Sequence, residues 1–181
     1  NLMESFFTKW LNNKSVKISE FLNKKIKGLE PELLTSLSLV LNAFAISNLI
    51  TNNYIAFIML FITAYFSNYL AKVYGEKYNL MNKIRLYYYN LTTYVQFISL
   101  YLVFNNYYKY KINEIFYVVL FIVLFLCSLN YLITDYPDLL VKYKVSEDVQ
   151  TLIKPYTKYF DESMTFIYIL IIITILYYKK K

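Results

Sequence analysis

Residues 68–94 read NYLAKVYGEKYNLMNKIRLYYYNLTTY, and they are where this chain gathers side chains capable of chemistry. Lys72, Lys77, Lys83 and Arg85 stand there with the acid Glu76 and a run of tyrosines. The rest of the inventory is thin. Among 181 residues there is no histidine and one cysteine, Cys127, so the commonest general base, the commonest metal ligand and an intramolecular disulfide are all ruled out. Acid–base or metal chemistry would fall to Asp, Glu, Lys or Tyr. Two other acidic groups follow, Asp135 with Asp138 in TDYPD and Asp161 with Glu162 in YFDES. Carboxylates at a surface could hold a cation, but their commoner work is capping helices. There is no Gly-rich phosphate loop and no Cys or His cluster.

The elements that must position these groups follow from composition. With 58% apolar and 20% aromatic residues, the chain is too apolar for an ordinary soluble domain. A helix needs about 20 apolar residues to cross a bilayer. Runs of that kind occupy 33–50, 54–71, 86–104 and 115–134, with a shorter one at 164–178. The expectation is an all-α integral membrane protein: a bundle of about five transmembrane helices, six being the other count considered, because lipid demands that every backbone polar group be satisfied internally. This polytopic region takes residues 31–181.

Residues 1–30 form a separate basic segment. Apolar residues at three-and-four spacing predict a helix, and Trp10, Lys14, Lys17, Lys24, Lys25 and Lys27 are its expected membrane-surface residues, the lysines filling most of the side opposite the apolar stripe. An aromatic stripe with a basic face suits the interface and anionic phospholipid. Gly28 fits the end of this helix and Pro31 the first turn of the next. The first 31 residues carry six lysines and no apolar stretch of the needed length, so no cleavable signal peptide is expected. Basic residues flank the spans unequally. Six precede the first run, four lie between the second and third and four within 135–163, against two after the third run and none in the hairpin TNN. This predicts a cytosolic N-terminus, and it argues against nucleic acid as the reason for the net charge of +7. Five crossings would leave Lys179, Lys180 and Lys181 outside, so either the last run stops short of crossing or a sixth span is missing. The neutral residues Asn42, Asn48, Asn90, Gln96 and Asn130 within the runs are expected to bond between helices rather than to conduct.

With the 68–94 stretch placed at the cytosolic turn between the second and third runs, the chain resembles the CDP-alcohol phosphatidyltransferases. These are helical membrane enzymes with an interfacial N-terminal helix before six spans. EPELLTSLSLVLN, with Pro31 and Thr35, is similar to the opening of their first span. EKYNLMNKIRLYYYNLTTY has the spacing and place of the second half of their signature, Asp-x-x-Asp-Gly-x-x-Ala-Arg, eight residues, Gly, three residues, Asp, three residues, Asp. TKYFDESMTFIYIL is similar to the entry of a later span. In one register Asn68, Ala71, Tyr89 and Thr93 occupy the four aspartate positions, Lys72 and Arg85 the two glycines, Gly75 the alanine and Glu76 the arginine. In another, Ala71 and Lys72 match Ala-Arg, and Ala64, Ser67, Arg85 and Tyr89 fall at the acids. No aspartate survives in either.

The resemblance implies that the family's carboxylates would hold divalent metal on a CDP-alcohol diphosphate and activate the acceptor hydroxyl. Hard cations need anionic oxygens, and phosphoryl transfer relies on that neutralisation. The expectation is therefore a degenerate member without catalytic residues, cofactor or metal, acting as a structural or interaction component of a membrane, as a homodimer or larger assembly. Two alternatives stand beside it: an active transferase with a non-standard site using Mg or Mn, and a lipid-handling or permeation protein.

Overall fold

The computed structural model describes residues 6–107, 114–135, 151 and 158–180. Among them the chain is all helical, without a strand: α1 Phe6–Lys25, α2 Pro31–Ile50, α3 Tyr54–Lys77, α4 Lys83–Tyr107, α5 Glu114–Asp135, a 3-10 turn Lys158–Phe160 and α6 Glu162–Lys180. Two of these, α2 and α3, are long and apolar enough to cross a membrane. Each of the five apolar runs lies within one helix from α2 to α6. The chain divides into two compact units, residues 12–110 and residues 1–11 with 111–181.

In the first unit α2, α3 and α4 pack against one another. Local chemistry sets their ends. Gly28 adopts φ 75° between α1 and α2, a left-handed conformation that costs glycine little. Pro31 takes the first turn of α2, where its missing N–H is not needed. The α2–α3 hairpin turns through Asn52 at φ 61°, and the Asn53 side chain caps α3 by accepting from the Ala56 N–H.

The next connection corrects the sequence reading. The loop expected to carry Lys72, Lys77, Lys83 and Arg85 is much shorter. Lys72, Gly75, Glu76 and Lys77 continue α3 as helix, and Lys83 and Arg85 already belong to α4. Only residues 78–82 turn. Asn79 sits there at φ 55°; its N–H donates to the Glu76 carbonyl and those of Leu80 and Met81 to the Gly75 carbonyl, a Schellman ending in which Asn replaces the usual Gly. The apolar run ended where charges began, but the helix did not.

The burial pattern of α2 is unusual for a water-soluble helix. Its buried face is Pro31, Thr35, Ser38, Asn42, Ala45 and Leu49, small or polar at alternating spacings of four and three. Its exposed face carries Leu33, Leu37, Val40 and Phe44. Helix α4 has a mixed interior, with Thr92, Thr93 and Gln96 buried beside Phe97, Leu100 and Val103, while Leu91, Val95, Ile98 and Leu102 are exposed. Side-chain polarity in α2 is inverted relative to a soluble amphipathic helix, and the outward face of α4 is apolar as well.

Helix α1 also departs from the reading. Lysines do not occupy a side opposite the aromatic residues. Trp10, Lys14, Lys17, Phe21 and Lys24 recur at helical spacing along one exposed stripe, while Leu11, Ser15 and Ser19 form the buried one.

In the second unit α5 packs on α6. Val123 and Cys127 of α5 and Phe166, Ile169 and Ile173 of α6 are buried, and Phe121, Phe125, Ile171 and Ile175 are exposed. Asp161 caps α6, accepting from the Met164 N–H at 2.9 Å, and its other carboxylate oxygen accepts from the Thr8 hydroxyl at 2.7 Å. This carboxylate has the capping role that acids of its kind usually have.

Candidate functional site

The family-like positions meet where α3 and α4 face each other. Both are helical through this region and are joined by the 78–82 turn. Asn68 is fully buried on α3. Its side-chain NH2 group donates to the Tyr89 carbonyl at 3.1 Å and to the Thr93 hydroxyl at 2.9 Å. Tyr89 and Thr93 lie one turn apart on α4 and are buried as well. The Lys72 ammonium, one turn along α3 from Asn68, stands 5.3 Å from the centre of the Tyr89 ring, within reach of a cation–π attraction. Three of the four positions singled out for the first register, Asn68, Tyr89 and Thr93, thus come together. Ala71 is buried on α3 and brings no polar atom.

The second register is scattered by comparison. Ala64 and Ser67 are buried on α3, and the Ser67 hydroxyl donates to the Leu34 carbonyl of α2 at 2.9 Å. Arg85 turns toward α2. Its guanidinium pairs with Glu32 and donates to the Leu80 carbonyl. Arg85 is thereby a clasp between the start of α2 and the 78–82 turn.

The chemistry of the cluster is that of a hydrogen-bonded amide. The group at its centre donates N–H protons to Tyr89 and Thr93 and carries no charge, where a divalent-metal site draws on anionic oxygens. Lys72 adds positive charge beside Tyr89. Among the described residues no group of three or more His, Cys, Asp or Glu side chains could hold a metal ion. Asp138 lies outside the described residues, as does the side chain of Asp135.

Farther along the same helices the neutral residues bond across, as the sequence suggests for two of them. The Asn42 amide donates to the Ser99 hydroxyl at 3.1 Å and the Gln96 amide to the Phe61 carbonyl at 3.1 Å. Asn48 instead bonds within its own helix, to the Phe44 carbonyl.

Polar links also fasten α1 to the end of α3. Lys77 donates to Glu20 at 2.6 Å and the Tyr74 hydroxyl to Asn23 at 3.1 Å. The Lys77 hydrogen bond and charge hold the Glu20 carboxyl below its usual value, with Lys24 and Lys17 adding to the effect. Trp10, Lys14, Lys17, Lys24, Lys25 and Lys27, the residues expected at a membrane surface, are all exposed. Sequence reasoning missed Glu32, Asn23 and Tyr74, and nothing in their spacing marks them. Ser99 stands one turn from Gln96, the signal that could have found it.

The chain matches no protein-family model, no curated protein and no solved structure.

Proposed function

We propose that this chain is a multi-pass helical membrane protein, a bundle of about five spans from α2 to α6, whose α3–α4 cluster serves cohesion rather than catalysis. The carrying observation is the buried Asn68 amide, which donates to Tyr89 and Thr93 where the CDP-alcohol phosphatidyltransferase pattern has metal-binding carboxylates. That hydrogen bonding joins two helices without charge, a use well suited to a lipid-surrounded bundle. The membrane reading draws its support from the inverted polarity of α2 and the apolar outward face of α4. Outward-facing Leu, Val, Ile and Phe need a lipid partner, because monomeric soluble proteins seldom leave such stripes open.

The function we infer is that of a structural or interaction component, with kinship to the transferases as a degenerate scaffold. Its N-terminus is cytosolic, and α1 lies along the interface with Phe6, Trp10 and Phe21 toward the acyl boundary. The lysines on the same stripe meet anionic headgroups, and a homodimer or larger assembly forms through aliphatic and aromatic outer faces. Turnover is the decisive test. Purified protein is incubated with labelled CDP-diacylglycerol or CDP-choline, an acceptor alcohol and Mg²⁺ or Mn²⁺. The expected result is no product above background. Metal-dependent product that disappears in Asn68→Ala or Tyr89→Phe would overturn the proposal in favour of an unconventional transferase.

A further inference from the structure

The three amides that join α2, α3 and α4 are half used. Asn42, Asn68 and Gln96 each donate through the NH2 group. Their carbonyl oxygens, Asn42 Oδ1, Asn68 Oδ1 and Gln96 Oε1, are buried and have no hydrogen-bond partner among the described residues. On the same three helices two hydroxyls share the condition, Ser38 on α2 and Thr92 on α4, as do Ser15 and Ser19 on α1. The five residues on α2, α3 and α4 are at least 95% buried, and they come from three different helices of one compact unit.

Hydrogen bonds tie the three helices that carry these atoms to one another. Ser67 bonded to the Leu34 carbonyl ties α2 to α3, Gln96 bonded to the Phe61 carbonyl ties α3 to α4, and Asn42 bonded to Ser99 ties α2 to α4. Ser38 and Asn42 lie one turn apart on α2, as do Thr92 and Gln96 on α4, a rise of about 6 Å in each case. The deficit is specific: three bare acceptors, and two hydroxyls able to accept or donate. An unpaired buried acceptor is costly, and native interiors rarely leave one unanswered. What fits must donate hydrogen bonds and must be small. It must also be neutral, since none of the five carries a charge to offset that of a cation.

We propose that the α2–α3–α4 seam is a binding site for internal water, held by Ser38, Asn42, Asn68, Thr92 and Gln96. A water molecule with two to four polar partners meets the conditions under which buried water is retained. The site is independent of whether the chain catalyses anything, because it uses oxygens that the Asn68–Thr93 contact leaves over.

The sign of a stability change tests it. Thr92→Val preserves shape and removes the hydroxyl. If Thr92 binds water, the full chain in lipid nanodiscs loses thermal stability, with Tm falling by about 2–4 °C for a chain of this size. If its hydroxyl is unpaired, the same substitution leaves Tm unchanged or raises it, and the proposal fails. Ser38→Ala repeats the test with a milder change should Thr92→Val fold poorly. Magnetisation transfer from water to side-chain ¹⁵N of Asn and Gln supplies a direct readout. Transfer to Asn68 and Gln96, with the Gln96 signal assigned through its loss in Gln96→Leu, is expected. Absence of transfer to either overturns the proposal. So would a Tm that rises with Na⁺ or K⁺ but not with choline at equal ionic strength, since that identifies a cation site instead.

Discussion

Two regions of the α2–α3–α4 unit are joined by different forces. Around the 78–82 turn, ions do the joining. Arg85 pairs with Glu32, whose side chains are 23% and 35% exposed, and Lys77 pairs with Glu20, at 27% and 54%. A few turns away the contacts are made by Asn68, Gln96 and Asn42, all neutral and none more than 5% exposed. Exposure separates the two sets. Water screens and solvates the ions at the turn, while a carboxylate placed at Asn68 would lose its solvation and face the Tyr89 carbonyl, itself an acceptor. An amide gives up far less on burial and still fixes register. The comparison explains why the helix ends beside the turn can carry Lys77, Lys83 and Arg85 while the interior positions are Asn, Gln, Ser and Thr.

Moving a charge from one region to the other should break the pattern with the largest effect. Asn68→Asp places a carboxyl in a fully buried position against the Tyr89 carbonyl, an acceptor that the present amide satisfies, with the Lys72 ammonium one turn away over the Tyr89 ring. Burial disfavours the ionised form, so the loss is greatest at high pH and fades as pH falls and the acid protonates. Thermal unfolding in detergent should show Asn68→Asp well below the parent at pH 8 and close to it near pH 5. A variant that is equally stable at both, or that Mg²⁺ stabilises, would mean the position can still serve as a metal ligand.

A close helix approach gives the next largest effect. A Cβ added at Gly75 would stand 2.9 Å from Met81 Cε and 3.3 Å from Pro31 Cγ. Met81 can move its flexible end, but Pro31 is fixed in the first turn of α2. Gly75→Val should therefore cost about 1–3 kcal/mol through overpacking, against a small gain in helix propensity. Adding Met81→Ala should recover part of the loss. Full tolerance of Gly75→Val would show that the α2 start is not packed on α3 as described.

How much of this the sequence disclosed can be judged from particular residues. Helices α2 to α6 were legible because each carries a long uncharged run, and Gly28 and Pro31 marked their junction by backbone chemistry alone. The end of α3 was not legible. Ala71 to Lys77 mixes Lys, Gly and Glu, which reads as loop, yet each residue has its helical hydrogen bond and the true break is set by Asn79 in the left-handed region. Spacing also brought Asn68, Tyr89 and Thr93 together, since four-residue steps on facing helices share a face. Partners distant in sequence, such as Glu32 for Arg85 and Asn23 for Tyr74, have no local signature and appear only with the tertiary structure. The orientation of α1 was misjudged because burial there follows Ser15 and Ser19, not the aromatic residues.

The Arg85 clasp is worth less than either substitution above. Both partners are partly exposed, so screening limits the pair to about 1 kcal/mol, and a double-mutant cycle of Arg85→Ala with Glu32→Ala should report a coupling of that size. Arg85→Lys should behave more like Arg85→Ala than like the parent, because the second bond, to the Leu80 carbonyl, depends on the forked guanidinium. Zero coupling would remove the clasp from the account of how the turn is held.

The smallest effect belongs to the most exposed pair, Glu20 with Lys77. Lys77 lowers the Glu20 pKa first by hydrogen bonding and then by charge, and Lys24 and Lys17 contribute at longer range. A carboxyl with a depressed folded-state pKa contributes stability above its unfolded value, 4.5 in this case, and loses it as pH falls through the lowered folded value. The α1–α3 link should thus be unchanged from pH 8 to pH 6 and weaken only below about pH 4.5. Trp10, the chain's one tryptophan, lies on α1 and reports on that helix. Its fluorescence in nanodiscs should stay constant from pH 8 to 6 and drift in the acid range, and Glu20→Gln should show part of the acid-state signal at every pH. High salt should reproduce a fraction of it at neutral pH, since the pair is screened by ions. The Tyr74–Asn23 bond carries no titrating charge in this range, so acid should loosen α1 without releasing it. A complete, cooperative release of α1 at pH 4 would show that the ion pair, and not the neutral bond beside it, holds the helix down.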